Sequence, residues 1–471
     1  MKIEQIYTGC LAQGAYYISS NGEAAIIDPL REVQPYLDKL KKDNVQLKYI
    51  FETHFHADFV SGHLSLSKKT NAPIIYGPTA SPNFEAIIAH DNQEFKIGNL
   101  TMIALHTPGH TLESTTYLLR DENKKDIAIF TGDTLFIGDV GRPDLAQQGL
   151  ELTKENLAGI LFDSLRTKIM TLSDDIYVYP GHGAGSACGK NMSKETMDTL
   201  GNQKLTNYAL RKNMSKQEFI DEVLDGISEP PVYFPLNVKM NKMGYTDFDE
   251  VKERAMKALT PNEFEMIANQ TDAIVLDVRS PLIYGKAHIP QSIFIGLNGD
   301  FAPWVGALIQ DVEQPILLVT ENSQQEEAIT RLARVGFDNV LGYLKGGIES
   351  WIAENKETDS VISISALEFA KHHISSEIPV FDVRKESEFN SQHVQNAHHT
   401  PLSYLNDHLH EFPKENDFYV HCQGGYRSMI AASILKRRGY HNIIDVKGGF
   451  KEIVNTEIIT QKAYQNNQIS N

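Results

Sequence analysis

From about residue 260 onward the chain repeats itself, and a self-similarity of that length limits the fold more than any single motif does. Val275-Leu276-Asp277-Val278-Arg279-Ser280 returns as Val380-Phe381-Asp382-Val383-Arg384-Lys385. Ala287-His288-Ile289-Pro290 returns as Gln392-His393-Val394-Gln395, and Leu344-Lys345-Gly346-Gly347-Ile348 as Val446-Lys447-Gly448-Gly449-Phe450. The spacing drifts only from 105 residues (275 to 380) to 102 (344 to 446), the size of a loop adjustment. The second half therefore reads as a duplicated α/β domain with a linker near Glu354–Asp359.

Ahead of the repeat, short β-like runs end in polar residues. Ala24–Ile27 precedes Asp28, Leu47–Phe51 precedes a histidine-rich run, and Ile127–Phe130 precedes Thr131-Gly132-Asp133. Layered α/β proteins build their sites from such strand-end loops. A chain of 471 residues is expected to hold about three domains. Its net charge of −17 argues against binding a phosphate backbone, so no nucleic-acid partner is expected. No apolar run approaches the roughly 18–20 residues that span a bilayer, so no membrane association is expected. The start, Met1-Lys2-Ile3-Glu4-Gln5, lacks the pattern of a secretion signal. Three widely spaced cysteines, Cys10, Cys188 and Cys422, form no disulfide framework and fit a reducing, cytoplasmic setting.

The run Thr53-His54-Phe55-His56-Ala57-Asp58-Phe59 lies just past a predicted strand. Residues i and i+2 of an extended segment point the same way, so both imidazoles are expected to face one site. Further histidines follow at His110, in His106-Thr107-Pro108-Gly109-His110, and at His182, in Pro180-Gly181-His182-Gly183; Asp133 closes a strand between them. A lone histidine is usually an ordinary hydrogen-bonding residue. The ordered set H-x-H-x-D, H, D, H is not, and it reads as a metal centre.

These residues resemble the metallo-β-lactamase superfamily over roughly residues 1–250. Two-metal members usually carry H-x-H-x-D-H, whose last histidine helps bind the second metal; this chain has Phe59 there. That loss disfavours a two-metal hydrolase. Within the superfamily, Thr131-Gly132-Asp133-Thr134-Leu135 followed by Gly141-Arg142-Pro143-Asp144 is similar to persulfide dioxygenases. The resemblance implies one mononuclear non-haem Fe(II) held by His54, His110 and Asp133. Two imidazoles and one carboxylate are independently the set expected of a non-haem Fe(II) oxygenase, with open positions for O2 and substrate. His56, Asp58 and His182 would then orient ligands or waters. Arg142 would pair with a carboxylate of the thiol carrier, or form an internal ion pair.

Cys422 follows the apolar strand Phe418-Tyr419-Val420 and precedes a helix over Ser428–Arg438. Gly424 and Gly425 let the backbone curl so that N–H groups point inward. Those donors, the helix N-terminus and Arg427 favour a thiolate. The loop Cys422-Gln423-Gly424-Gly425-Tyr426-Arg427-Ser428 resembles that of rhodanese sulfurtransferases, over about residues 360–455. In the first copy, matching Leu318-Val319-Thr320 to Tyr419-Val420-His421 puts Glu321 where Cys422 stands and Glu326 where Arg427 stands. A carboxylate cannot carry sulfur, so the first copy reads as a scaffold that spaces the domains or forms an oligomer interface. Cys188, in Gly185-Ser186-Ala187-Cys188-Gly189, reads either as a flexible persulfide relay near the metal or as a loop cysteine without a role. Cys10 reads as packing.

The expected architecture is α/β: an αββα metallo-β-lactamase sandwich (1–255), then two rhodanese-like domains with mainly parallel sheets, a cysteine-less one (256–357) and a catalytic one (358–460), then a polar tail (461–471). The resemblance as a whole is to bacterial fusions of a persulfide dioxygenase with a rhodanese pair. It implies oxidation of a low-molecular-weight thiol persulfide (glutathione, coenzyme A, bacillithiol or cysteine) by O2 to sulfite, with Cys422 joining sulfane sulfur to sulfite as thiosulfate. A homo-oligomer is expected. Two other readings stand beside it: a zinc hydrolase of the glyoxalase II kind with a passenger rhodanese, and a noncatalytic persulfide carrier.

Overall fold

The computed structural model describes residues 1–146, 152–227, 229–375 and 378–462. Most of the expected tail lies outside them. The chain divides into two compact units, one of Met1–Val251 with Gln310–Val312 and Thr330–Asp338, the other of Lys252–Ile309, Glu313–Ile329 and Asn339–Asn471.

The first unit is built on two six-stranded sheets. One runs in chain order from Lys2–Thr8 through Gln13–Ser20, Glu23–Ile27, Gln46–Phe51 and Ile74–Tyr76 to Ile87–Ile88. It is antiparallel at first and parallel from Glu23–Ile27 onward. The other holds Glu94–Ile97, Leu100–His106, Thr115–Arg120, Asp126–Gly132, Tyr177–Pro180 and Asp198–Thr199. Strand side chains alternate between faces, and here both faces are apolar. Ala25 and Ile27 join Met102 and Ala104 in the core between the sheets. Ala24 and Ile26 pack outward with Tyr36, Leu40 and Leu66 from helices. On the far side Ile103 and Leu105 meet Leu161 and Phe219. Helices thus cover a two-sheet sandwich, the expected αββα layering. Strand ends carry the chain into the loops that hold His54, His110, Asp133 and His182.

The second unit contains two five-stranded sheets that are parallel throughout. The first orders its strands Ala258–Leu259, Val340–Leu344, Ile316–Val319, Ile274–Asp277, Ile293–Phe294. The second orders Ile362–Ile364, Ile443–Val446, Phe418–His421, Val380–Asp382, His398–His399. The two orders are the same, which is the repeat seen in three dimensions. Their central strands, Ile316–Val319 and Phe418–His421, are buried at every residue, as sheets covered on both faces require. Each repeat opens on a strand-to-helix turn; in the first, Thr260 caps the helix Pro261–Gln270 in a reciprocal box with Glu263. Among the described residues no helix is long and apolar enough to cross a membrane.

Candidate metal centre and thiol loop

His54, His110 and Asp133 arrive from three separate strand ends and meet in a buried pocket. His110 Nε2 lies 3.5 Å and His54 Nε2 3.9 Å from Asp133 Oδ2. The three donor atoms fall within 4.8 Å of one another. Gly132, at φ +50°, makes this approach possible: a Cβ there would stand 2.5 Å from Thr53 Oγ1.

The residues behind these three set which atoms face the pocket. Thr53 donates its hydroxyl to Asp28 Oδ2 at 2.8 Å and so accepts from His54 Nδ1 at 3.0 Å. The Arg142 carbonyl accepts from His110 Nδ1 at 2.8 Å. Both imidazoles are thereby held with Nε2 free toward Asp133. His182 Nδ1 donates to Asp133 Oδ1 at 2.9 Å, leaving Asp133 Oδ2 buried without a hydrogen-bond partner. Such an orphaned oxygen among two imidazoles fits a bound cation. Burial pushes the Asp133 carboxyl up, but His182, His54 and His110 outweigh it and hold it well below the usual range. Burial, with the neighbouring His56, holds His54 well below its usual value, so it is neutral and able to ligate.

His56 does not join this set, contrary to the expectation that both histidines of the motif face one site. Its Nε2 turns to Asp28 Oδ1 at 3.1 Å and Glu52 Oε2 at 3.2 Å, and its ring lies on Phe59 at 4.3 Å. Burial opposes its charge, yet the two carboxylates raise it to about 10. Alternation aims both side chains at one face of an extended segment, but the carboxylates draw the second imidazole away. Asp28 and Glu52 are the residues the motif reading missed. Both directly follow strands, Glu23–Ile27 and Gln46–Phe51, so the strand-end rule that found Asp133 also points at them.

Asp58 and His182 act on Asp133 from behind, with His182 Nε2 2.8 Å from Asp58 Oδ2. Arg142 is buried and gives its guanidinium bidentately to Asp144 at 2.7 Å, the internal ion pair of the two expected roles. Cys188 was expected on a flexible loop. It is instead 1% exposed, its carbonyl accepts from Arg142 N, and burial pushes its thiol well up. Cys10 is half-buried and receives a hydrogen bond from Arg334 Nη1 at 3.3 Å.

Cys422 sits where the central strand Phe418–His421 turns into the helix Tyr426–Arg437. The Gly425 N–H donates to its Sγ at 3.1 Å. Gly425 has φ +93°, which favours glycine, whereas Gly424 has no such conformation and ample space. Only one of the two glycines therefore takes a conformation that favours glycine. Gly449 passes so close that a Cβ would lie 2.3 Å from the Cys422 carbonyl. Arg427, expected to favour the thiolate, is held by Glu388 through bonds of 2.6 and 2.8 Å.

Register corrects the expectation for the first copy. Asp277 pairs with Val319 as Asp382 pairs with His421, which puts Thr320, not Glu321, at the position of Cys422. Ser323 has φ +69° where Gly425 has +93°, and Gly347 faces the Thr320 carbonyl as Gly449 faces that of Cys422. Gln325, not Glu326, then stands where Arg427 does. Glu321 accepts instead from Ser280 N at 3.2 Å. The conclusion survives: a threonine hydroxyl carries no sulfur either.

Against known proteins, the metallo-beta-lactamase superfamily model matches residues 8–182, and the rhodanese-like domain model matches residues 260–354 and 365–456. Hydroxyacylglutathione hydrolase GloC of Haemophilus influenzae is 30% identical over 213 residues, 40% of this chain and 94% of that protein. The mitochondrial persulfide dioxygenase ETHE1 of Homo sapiens is 33% identical over 166 residues, 34% of this chain and 59% of that protein. A crystal structure of a metallo-beta-lactamase from Staphylococcus aureus is 32% identical with a TM-score of 0.66, covering 73% of this chain and 99% of that one. The chain spans about three fifths of several curated relatives it matches.

Proposed function

The chain belongs to the metallo-β-lactamase superfamily and carries tandem rhodanese-like domains behind that domain, and on this footing we propose that it is a mononuclear non-haem Fe(II) persulfide dioxygenase coupled to a sulfurtransferase. The observation that carries the reading is the split within the histidine motif. His54, His110 and Asp133 converge on one point while His56 is taken by Asp28 and Glu52. Two imidazoles and one carboxylate leave positions for O2 and a sulfur ligand. The likeness to a persulfide dioxygenase supports it.

Iron held by His54, His110 and Asp133 would supply the activation of O2 and of the persulfide's terminal sulfur. The rest falls to the protein. The Arg142 carbonyl and Thr53 hydroxyl fix the two imidazole tautomers, and His182 holds the Asp133 carboxylate in place. In balance, one persulfide, one O2 and one water give the free thiol and sulfurous acid. At the second site the Cys422 thiolate attacks the outer sulfur of another persulfide; the S–S bond breaks and the carrier leaves as its thiol. Sulfite then attacks that sulfur, thiosulfate departs and the thiolate returns. Linking both sites on one polypeptide raises the effective concentration of sulfite at Cys422. Free thiols at both stages suit a reducing cytoplasm.

The test is oxygen uptake by Fe(II)-loaded protein given glutathione persulfide or coenzyme A persulfide. Uptake is expected, lost in His110→Ala and retained in Cys422→Ser. The match to a hydroxyacylglutathione hydrolase over nearly its whole length favours one other reading, zinc-dependent thioester hydrolysis. Thioester turnover by zinc-loaded protein, with no uptake by the iron form, would put that reading first.

A further inference from the structure

The histidine motif is gripped by a helix from beyond the segment that matches the superfamily model. That match ends at residue 182, and the helix Phe234–Met243 follows it. Asn241, near the end of this helix, is buried and reaches back to the motif. Its Nδ2 donates to the carbonyls of His56 and Phe59, each at 2.8 Å, and its Oδ1 accepts from Ser61 N at 2.9 Å. A carboxamide has two N–H donors and one carbonyl oxygen, so every polar group of the side chain is in use. Turned over, its oxygen would meet two carbonyl oxygens, so only one orientation fits.

The segment it holds has little else to fix it. Residues 56–60 lie in no helix or strand, yet they are buried, so their backbone groups need partners from outside. Val60 N donates to the Arg334 carbonyl at 2.7 Å, and the Tyr245 hydroxyl donates to the Ser61 carbonyl. The carbonyls of His56 and Phe59, on either side of Asp58, fall to Asn241 alone among these groups. Asp58 Oδ2 stands 2.8 Å from His182 Nε2, and His182 Nδ1 donates to Asp133 Oδ1 at 2.9 Å. A line of contacts thus runs from Asn241 through the Asp58 turn and His182 to Asp133. Asn237, one turn earlier on the same helix, is also buried, but neither atom of its amide has a hydrogen-bond partner.

We propose that Asn241 is a positioning residue of the metal centre. It fixes the turn that presents Asp58, and through Asp58 and His182 it sets the direction of the Asp133 carboxylate. This role rests on His54, His110 and Asp133 holding a metal, and not on which metal or which reaction.

The test is the affinity of the full-length protein for Fe(II) or Zn(II), measured anaerobically by competition with a chromophoric chelator. Asn241→Leu keeps the volume and removes all three bonds; it is expected to weaken binding by about tenfold or more. Asn237→Leu, on the same helix, removes no hydrogen bond and should leave the affinity unchanged. In an Asp58→Asn background, where the line is already cut, adding Asn241→Leu should cost less than about threefold. Hydrogen exchange on the metal-free protein gives a second readout: in Asn241→Leu, exchange should quicken within residues 55–62 while the strand Leu100–His106 keeps its protection. Unchanged affinity in Asn241→Leu, an equal loss in Asn237→Leu, or a full tenfold effect persisting in the Asp58→Asn background would each overturn the proposal. So would exchange that quickens in the strand as well, which would make Asn241 a residue of general stability. Wild type that binds neither metal overturns the metal reading and this role with it; wild type that binds as Asn241→Leu does overturns this role alone.

Discussion

The two rhodanese-like copies share a backbone and differ in chemistry. Strand order is the same, and the turn after the central strand takes a positive φ at Ser323 and at Gly425. A glycine closes on the turn in both, Gly347 and Gly449. Yet Thr320 stands for Cys422, Gln325 for Arg427 and, by strand pairing, Tyr343 for Asp445. The strand-to-helix turn is thus a property of the fold, and the residues placed on it differ between the copies. The first copy also has a use the sequence does not announce. Tyr426, from the Cys422 loop, donates its hydroxyl to the Gly296 carbonyl at 2.7 Å, and a Cβ on Gly299 would lie 2.5 Å from its ring. The first copy is the wall against which the Cys422 loop is set.

The sharpest break in the comparison comes from exchanging the thiol. Cys422→Ser is expected to lower thiosulfate formation from persulfide and sulfite by about 1000-fold or more, roughly 4 kcal/mol of barrier. Adding Thr320→Cys to that variant puts a thiol on the equivalent turn. Less than about a hundredth of the lost rate should return, because Gln325 supplies no cation beside it. Mass spectrometry of the double variant after persulfide treatment, alongside rates, checks this. Recovery to near the original rate would mean that the copies differ by one residue only.

The repeat and the metal motif were legible because both are local patterns: short strings at fixed spacing, each just past an apolar run. The register of the first copy was not. Leu318 and Val319 are equally good strand residues, so hydrophobic pattern cannot tell Thr320 from Glu321 as the partner of Cys422; backbone pairing decides it. The direction of His56 was hidden for a similar reason, since it depends on Asp28, a residue from another strand end. The segment Gly185–Gly189 reads as an open loop, yet contact with Arg142 N buries Cys188 within it.

The wall formed by the first copy is the next comparison to test. Tyr426→Ala should leave a void between the loop and residues 294–299 and lower sulfur transfer by about tenfold, with oxygen uptake unchanged. Tyr426→Phe removes only the bond to Gly296, worth about 1 kcal/mol, and should cost a few-fold at most. Gly299→Ala should mimic the larger change from the other side, since its methyl group collides with the ring. If Gly299→Ala leaves the transfer rate untouched, the first copy does not position the loop.

The smallest expected effect concerns the acid that only the second copy holds. Asp445 accepts hydrogen bonds from Ser428 Oγ at 2.7 Å and Ser363 Oγ at 3.2 Å, but burial dominates and raises its carboxyl from 3.8 to about 6. The folded chain therefore holds this proton more tightly than the unfolded chain. Its contribution to stability is fully present below the unfolded value and is lost as pH rises through about 6. Above that, the ionised, buried carboxylate costs up to about 3 kcal/mol. Asn cannot ionise, but its single carbonyl oxygen accepts from only one of the two serines, and its NH2 group faces the other. Its amide needs a donor's partner of its own, which removes about 1 kcal/mol or more of the gain at every pH. The reading that isolates the titration is the change in urea midpoint between about pH 4 and pH 7.5. Across that interval wild type should lose more stability than Asp445→Asn. Equal losses would mean that Asp445 titrates as an ordinary carboxylate, and that the two copies do not differ in this respect.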